Sequence, residues 1–287
     1  MALDYDALLN HKFEELVCTY STRDTALYAL GVGIGHYLDD ETQLRFVYEK
    51  DMLVLPTMAT VLGTNGFWLQ EPWTGVDWVQ VLHGEQSLRM HGILPPEGTI
   101  RSRMRVTEII DKGPEKGAFI YCDREIIDEM TGNLLCTLTA TSIARGDGGF
   151  DGPTGSMRSA HPLPRREPDI VCDLPTLPQA ALIYRLCGDF NPLHVDPDIA
   201  RTAGFKAPIL HGLCTLGIAG HALLKTFCNY EPAQFSSLDL RFSAPVYPGE
   251  TIRTEMWRDG DYVSFRARAT ERDVVVLNNG RMEVKNA

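Results

Sequence analysis

The sequence predicts an α+β protein made of two copies of one unit, each an apolar helix followed by a meander of antiparallel strands. Three observations predict it: a long-range internal repeat, a Gly- and Pro-rich break at mid-chain, and the same order of elements in each half. The repeat is clearest where Ser87-Leu-Arg-Met-His-Gly-Ile-Leu-Pro-Pro-Glu-Gly-Thr-Ile-Arg-Ser-Arg-Met104 aligns without gaps on Asp239-Leu-Arg-Phe-Ser-Ala-Pro-Val-Tyr-Pro-Gly-Glu-Thr-Ile-Arg-Thr-Glu-Met256. The offset is 152 residues, and seven of 18 positions are identical. Upstream, Val54-Leu-Pro-Thr-Met-Ala-Thr60 falls on Ile209-Leu-His-Gly-Leu-Cys-Thr215 at an offset of 155, and Tyr28 falls opposite Tyr184. Three matches in the same order at nearly the same spacing point to duplication of a supersecondary unit.

The elements follow in order. Residues 22–34 form an early helix, and a second helix runs from Ala59 onward. Residues 99–110, 118–129 and 134–143 are rich in β-branched and aromatic side chains and are separated by Asp111-Lys-Gly-Pro and Thr131-Gly-Asn turns, so they read as strands. In the second half the early helix is 177–187. The Ala-, Leu- and Gly-rich helix 213–227 is apolar enough to be buried. Strands follow at 238–242, 251–258, 262–269 and 274–284, with Asp259-Gly-Asp as a tight turn. Between the halves, Arg145-Gly-Asp-Gly-Gly-Phe-Asp-Gly-Pro-Thr-Gly-Ser156 is too dense in Gly and Pro to hold a regular element. The halves are placed at 1–148 and 170–287, with 149–169 as the linker.

Composition bounds the function. At 287 residues and 44% hydrophobic, the chain can build one large core or two of about 140 residues. A net charge of −11 argues against nucleic acid, whose phosphates need a basic surface. No apolar run reaches membrane-span length, so no membrane partner is expected. The start lacks the basic and apolar regions of a secretory signal, and the C-terminus is not Ser-Lys-Leu. These features suit a cytoplasmic protein if the source is bacterial, with a peroxisomal one open if it is eukaryotic. Seven scattered cysteines with no C-x-x-C pair read as reduced thiols rather than a disulfide framework or zinc site.

The chemistry concentrates in Tyr184-Arg-Leu-Cys-Gly-Asp-Phe-Asn-Pro-Leu-His194 and Pro208-Ile-Leu-His-Gly-Leu-Cys-Thr215. Gly188 and Asn191-Pro192 break the preceding helix, so Asp189, Asn191 and His194 leave it on a loop, where polar side chains can face a cleft. An ordinary helix C-terminus with turn-forming Asp and Asn would have the same pattern. A metal site from Asp189, His194 and Asp196 lacks a recognised ligand spacing, so no metal is expected. Gly212 opens the apolar helix, where unpaired N–H groups and the dipole would stabilise an oxyanion. The alternative is a glycine helix start beside a core histidine, His211. The first half has Pro56-Thr57 where the second has His211-Gly212, and Gly33 where it has Asp189. A purely structural motif would more readily have been kept in both copies.

These two blocks resemble the signature of the (R)-specific 2-enoyl-CoA hydratases, the hydratase 2 or MaoC-like family. The first half is similar to that family's first repeat in Ala29-Leu-Gly-Val-Gly, Phe46-Val-Tyr-Glu, Leu55-Pro-Thr, Leu82-His-Gly-Glu-Gln and Gly146-Asp-Gly-Gly-Phe-Asp-Gly. The resemblance implies a double hot-dog fold with two long helices, each wrapped by an antiparallel sheet. It also implies a degenerate first repeat that makes room for a bulky acyl chain. It implies Asp189 and His194 as the catalytic pair, Asn191 as the orienting residue, the Gly212 N–H as the oxyanion site and Glu49 as an assisting acid. The implied substrate is an acyl-CoA thioester, with coenzyme A as part of the substrate and no separate cofactor, and a homodimer is the expected assembly. Arg185, Arg201 and Lys206 flank the motif as candidates for the CoA phosphates. A thioesterase on the same architecture and a non-catalytic acyl-CoA-binding subunit are the competing readings.

Overall fold

The structure, a computed structural model, describes residues 3–36, 40–156 and 158–285. The first half opens with α1 (Tyr5–Asn10), β1 (Leu16–Tyr20), α2 (Thr22–Gly31) and the short α3 (Glu41–Leu44). Four 3₁₀ turns then lead to the strands β2 (Val81–Met90), β3 (Gly98–Asp111), β4 (Ala118–Asp128) and β5 (Leu134–Ala144). The second half repeats the order with β6 (Ile170–Pro175), α4 (Ala180–Tyr184), α5 (Pro197–Thr202) and α6 (Gly212–Phe227). It closes with β7 (Phe235–Phe242), β8 (Thr251–Asp259), β9 (Tyr262–Ala269) and β10 (Val274–Val284).

The ten strands form one antiparallel sheet in the order β1-β3-β4-β5-β2-β7-β10-β9-β8-β6. Each half contributes the same sequence of strands, joined head to head at β2 and β7. Ser87 pairs with Asp239 there, the two residues that the repeat makes equivalent. Tyr28 and Tyr184 also meet across the pseudo-twofold, with both rings fully buried and 6.1 Å apart. The α+β double hot-dog class is borne out, as one continuous sheet. The strands rich in β-branched residues fall close to their expected bounds. Strands β1, β2 and β6 lacked such a signal and are visible only through their pairing.

One expectation fails. No second long helix follows Ala59; Pro56–Thr60 is a single 3₁₀ turn. Left-handed Gly63 (φ 55°) and Gly66 (φ 65°) stop it, and at Gly63 a Cβ would lie 2.6 Å from the Ser102 Cβ. Further 3₁₀ turns at Trp68–Gln70, Pro72–Thr74 and Trp78–Gln80 carry the chain onward. With α1 they cover a separate apolar cluster over β3 and β4, built from Leu8, Leu69, Ile109 and Ile120 with Phe13, Trp68 and Trp73 against it. The helix expected over 177–187 is likewise shorter, because Pro178 delays its start and Gly188, left-handed at φ 117°, ends it.

α6 therefore has the central position alone. Every residue from Cys214 to Leu224 is buried, so the helix is apolar on all sides. Each fully buried Leu or Ile there contributes about 1.5–3 kcal/mol. Close approach requires small residues: a Cβ on Gly217 would lie 2.5 Å from Val32, and one on Gly220 2.6 Å from Thr57. The segment after β5 is tied to both halves. Asp111 accepts from the Gly149 N–H, and Trp257 Nε1 donates to the Arg166 carbonyl.

Candidate active site

The site forms where the loop after α4 meets the start of α6. Gly188 turns the chain out of its 3₁₀ turn, and Asn191 caps the next one, Pro192–His194, by accepting from the Leu193 N–H at 3.0 Å. The Asn191 N–H donates to Asp189 Oδ1 at 3.2 Å. Asn191 thus orients Asp189 through its backbone while its carboxamide shapes the loop. His194 Nδ1 lies 2.8 Å from the Ile209 carbonyl. A carbonyl only accepts, so Nδ1 carries the proton and the Nε2 lone pair is left as a base.

His211 completes the cluster. Its ring stacks on His194 at 3.7 Å and 30°, and its Nε2–H donates to the main-chain carbonyl of Asp189 at 3.1 Å. His194 is 8% exposed and His211 1%. Burial holds His194 below the ordinary imidazole value, against the pull of its Ile209 bond and of Asp189. Burial and the neighbouring His194 push His211 down as well. Both rings are therefore neutral near pH 7.

The next residue, Gly212, is the first of α6, and His211 is its N-cap. The His211 carbonyl takes the Cys214 and Thr215 N–H groups, and no acceptor among the described residues takes that of Gly212. A Cβ at Gly212 would meet the Phe242 ring at 3.2 Å. The His83 ring lies 4.7 Å from that of Phe242, at a bulge in β2. Burial pushes His83 down to about 4 although Asp189 is near enough to raise it. The first half thus contributes a ring to the wall of the site.

The structure brings Asp189, Asn191, His194 and Gly212 together. Glu49 lies in an exposed turn after Val47, and no described hydrogen bond, ion pair or ring contact joins it to them. Asp196 caps α5 by accepting from the Asp198 N–H at 2.8 Å. Two residues that the motif did not single out for chemistry, His211 and His83, line the same region. His83 sits in a block carried by the family resemblance, but only its contact with the Phe242 ring of β7 shows which way it faces.

Asp189, His194 and His211 each offer a ligand-type atom within 4.8 Å of the others. One nitrogen of each ring donates to a carbonyl, which fixes the tautomers and leaves one lone pair on each ring.

Similarity to known proteins agrees with this geometry. Residues 18–146 match the MFE-2 hydratase 2 N-terminal domain, and residues 159–279 match the MaoC like domain. The peroxisomal enoyl-CoA hydratase 2 of Arabidopsis thaliana is 38% identical over 288 residues, covering 95% of this chain and 93% of that one. A crystal structure of a MaoC-like dehydratase from Phytophthora capsici superposes with a TM-score of 0.86 at 34% identity, covering 99% of this chain and 100% of the other. Rv0216 of Mycobacterium tuberculosis, described as a double hotdog fold, shares the fold at a TM-score of 0.58 and 16% identity over 96% of both chains. The chain belongs to the enoyl-CoA hydratase 2 family of MaoC-like proteins.

Proposed function

We propose that this chain is a hydro-lyase that reversibly adds water, syn, across trans-2-enoyl-CoA to give (R)-3-hydroxyacyl-CoA in fatty-acid or related acyl-CoA metabolism. The observation that carries the reading is the convergence of Asp189 and the neutral His194 beside the open N-terminus of α6. Their ligand-type atoms lie no more than 4.8 Å apart, a span that suits one bridging water, since two bonds of about 2.8 Å at a tetrahedral angle reach about 4.6 Å.

The thioester oxygen takes the Gly212 N–H, which draws electrons from the double bond and makes C3 electrophilic. The water held by Asp189 and His194 gives up a proton to this pair as its oxygen bonds to C3. The enolate charge is stabilised by the Gly212 N–H and the positive end of α6. The proton then passes to C2 from the same side, which restores the pair. Hydroxyl and hydrogen arrive on one face because acid and base stand on one face; the (R) outcome rests on family likeness.

The acyl chain is assigned to the first half, where a 3₁₀ turn replaces the central helix. Arg185 stacks over Phe190 and Lys206 over Tyr247, and neither has a carboxylate partner among the described residues, so they suit the CoA phosphates. Arg201 is already paired with Asp198. No separate cofactor is required, and the fused halves are proposed to act as a homodimer.

The test is loss of the conjugated enoyl-thioester absorbance with crotonyl-CoA and trans-2-decenoyl-CoA, with chiral analysis of the product. Rapid loss to the (R) alcohol, abolished in Asp189→Asn, supports the reading. Release of free CoA would replace it with a thioesterase, and tight binding without turnover with a binding subunit.

A further inference from the structure

We propose that His211 is a positioning residue: its ring is the platform on which His194 works, and its Nε2–H pins the loop that carries Asp189. The kinetic side of this inference rests on the hydratase reading; the titration side rests on geometry alone.

His211 touches each part of the machinery through a different group. Its ring covers one face of His194 at 3.7 Å. Its Nε2–H holds the Asp189 carbonyl at 3.1 Å. Its own carbonyl caps the helix that begins with Gly212. The Tyr184 ring also lies against it, 5.0 Å away and tilted by 48°. Its remaining nitrogen, Nδ1, is buried and unpartnered. The first half has Pro56 at the corresponding position and no such link.

The groups facing His194 are Asp189, His211 and the Ile209 carbonyl. Those facing His211 are His194, Asp189, Arg185 and Tyr184, while His83 faces Asp189 from β2. The stacked ring keeps water from one face of His194, and desolvation is the largest cause of its lowered basicity. A bare imidazole face would admit water and let His194 rise toward the ordinary histidine value. His194 acts as a base only when neutral, so the acid limb of kcat/KM would then move to higher pH.

Two substitutions separate the roles. His211→Phe keeps a ring over His194 and loses the donor to Asp189. His211→Gln keeps a donor and loses the ring. NMR titration of the His194 imidazole should give a wild-type midpoint in His211→Phe and a raised one in His211→Gln. In His211→Phe, kcat should fall about 10²-fold with KM nearly unchanged, the cost of a displaced catalytic group. An identical His194 midpoint in wild type and both variants would overturn the platform, and near-normal kcat in His211→Phe would overturn the clamp. A wild-type protein that turns over no enoyl-CoA would sink the hydratase reading, while the titration would still decide the platform.

Discussion

Pro56 stands where His211 stands, Thr57 where Gly212 stands, and Gly33 where Asp189 stands. Around these positions the two halves present the same five strands in the same order. The second half carries a 16-residue buried helix with an open N-terminus, and the first carries a five-residue 3₁₀ turn at the same place. Duplication supplied two sheets of the same strand order, and the difference between the halves lies in the central helix, the loop before it and the turns that stand in its place. The sheet tolerates loss of one central helix because α1 and the aromatic 3₁₀ turns around Trp68 and Trp73 cover the strands it would have covered. In the proposed function the helix terminus of the second half aims an N–H, and the space left in the first half takes the acyl chain.

The largest expected effect tests whether the acid–base chemistry belongs to the second half alone. Asp189→Asn and His194→Ala should each lower kcat by about 10²–10⁴-fold, the usual worth of a general acid or base, with thermal unfolding close to wild type. Near-normal rates in either variant would erase the contrast between the halves.

A sharper version isolates the helix terminus. Gly212 is the first residue of α6, and His211 before it is extended, with φ −56° and ψ 134°. Proline is accepted at a first helical position after such a residue. Gly212→Pro should therefore leave α6 in place while removing its N–H, with a loss of about 10²–10³-fold in kcat. The ring must also find room against Phe242. Circular dichroism separates a lost donor from a lost helix.

The next effect is on stability and probes how closely the halves are packed. Gly217 faces Val32 and Tyr28 of the first half, with a virtual Cβ 2.5 Å from Val32 Cγ1 and 2.9 Å from the Tyr28 hydroxyl. Overpacking costs about 1–3 kcal/mol, and alanine returns up to about 1 kcal/mol of helix propensity. Gly217→Ala should lower the denaturation midpoint; an unchanged or raised midpoint would mean that α6 and α2 are free to separate.

The smallest effect is expected at Glu49. It is exposed and unlinked to the cluster, so Glu49→Gln should leave kcat/KM within about twofold, as for surface changes generally. A large loss would mean that the first half contributes an acid after all.

How much of this was legible in the sequence depended on how local each signal was. The strands β3, β4, β5, β8 and β9 were readable because β-branched and aromatic runs were bounded by glycine-containing turns. α6 was readable because apolar and small residues fill Gly212–Phe227 except at His221 and Lys225, with no proline to break the run. The Asp189–His194 block was readable because Gly188 and Asn191-Pro192 force a loop. The missing helix after Ala59 was misread because its opening residues are helix-like and the glycines at 63 and 66 act only through their left-handed backbone. His211 was ambiguous because a buried histidine and a working one have the same letter.

The sequence by itself determined the duplication, the fold class, the half that holds Asp189 and His194 and the glycine that opens its helix, because each is written in local pattern or in repeated spacing. The tertiary structure alone decided that the halves share one sheet through Ser87 and Asp239, that His211 stacks on His194, and that His83 from the first half faces the second half's site. Those are contacts between residues 17 to 159 positions apart. No local propensity encodes them; they follow from strand register and from which side chains meet when α6 is buried against both halves.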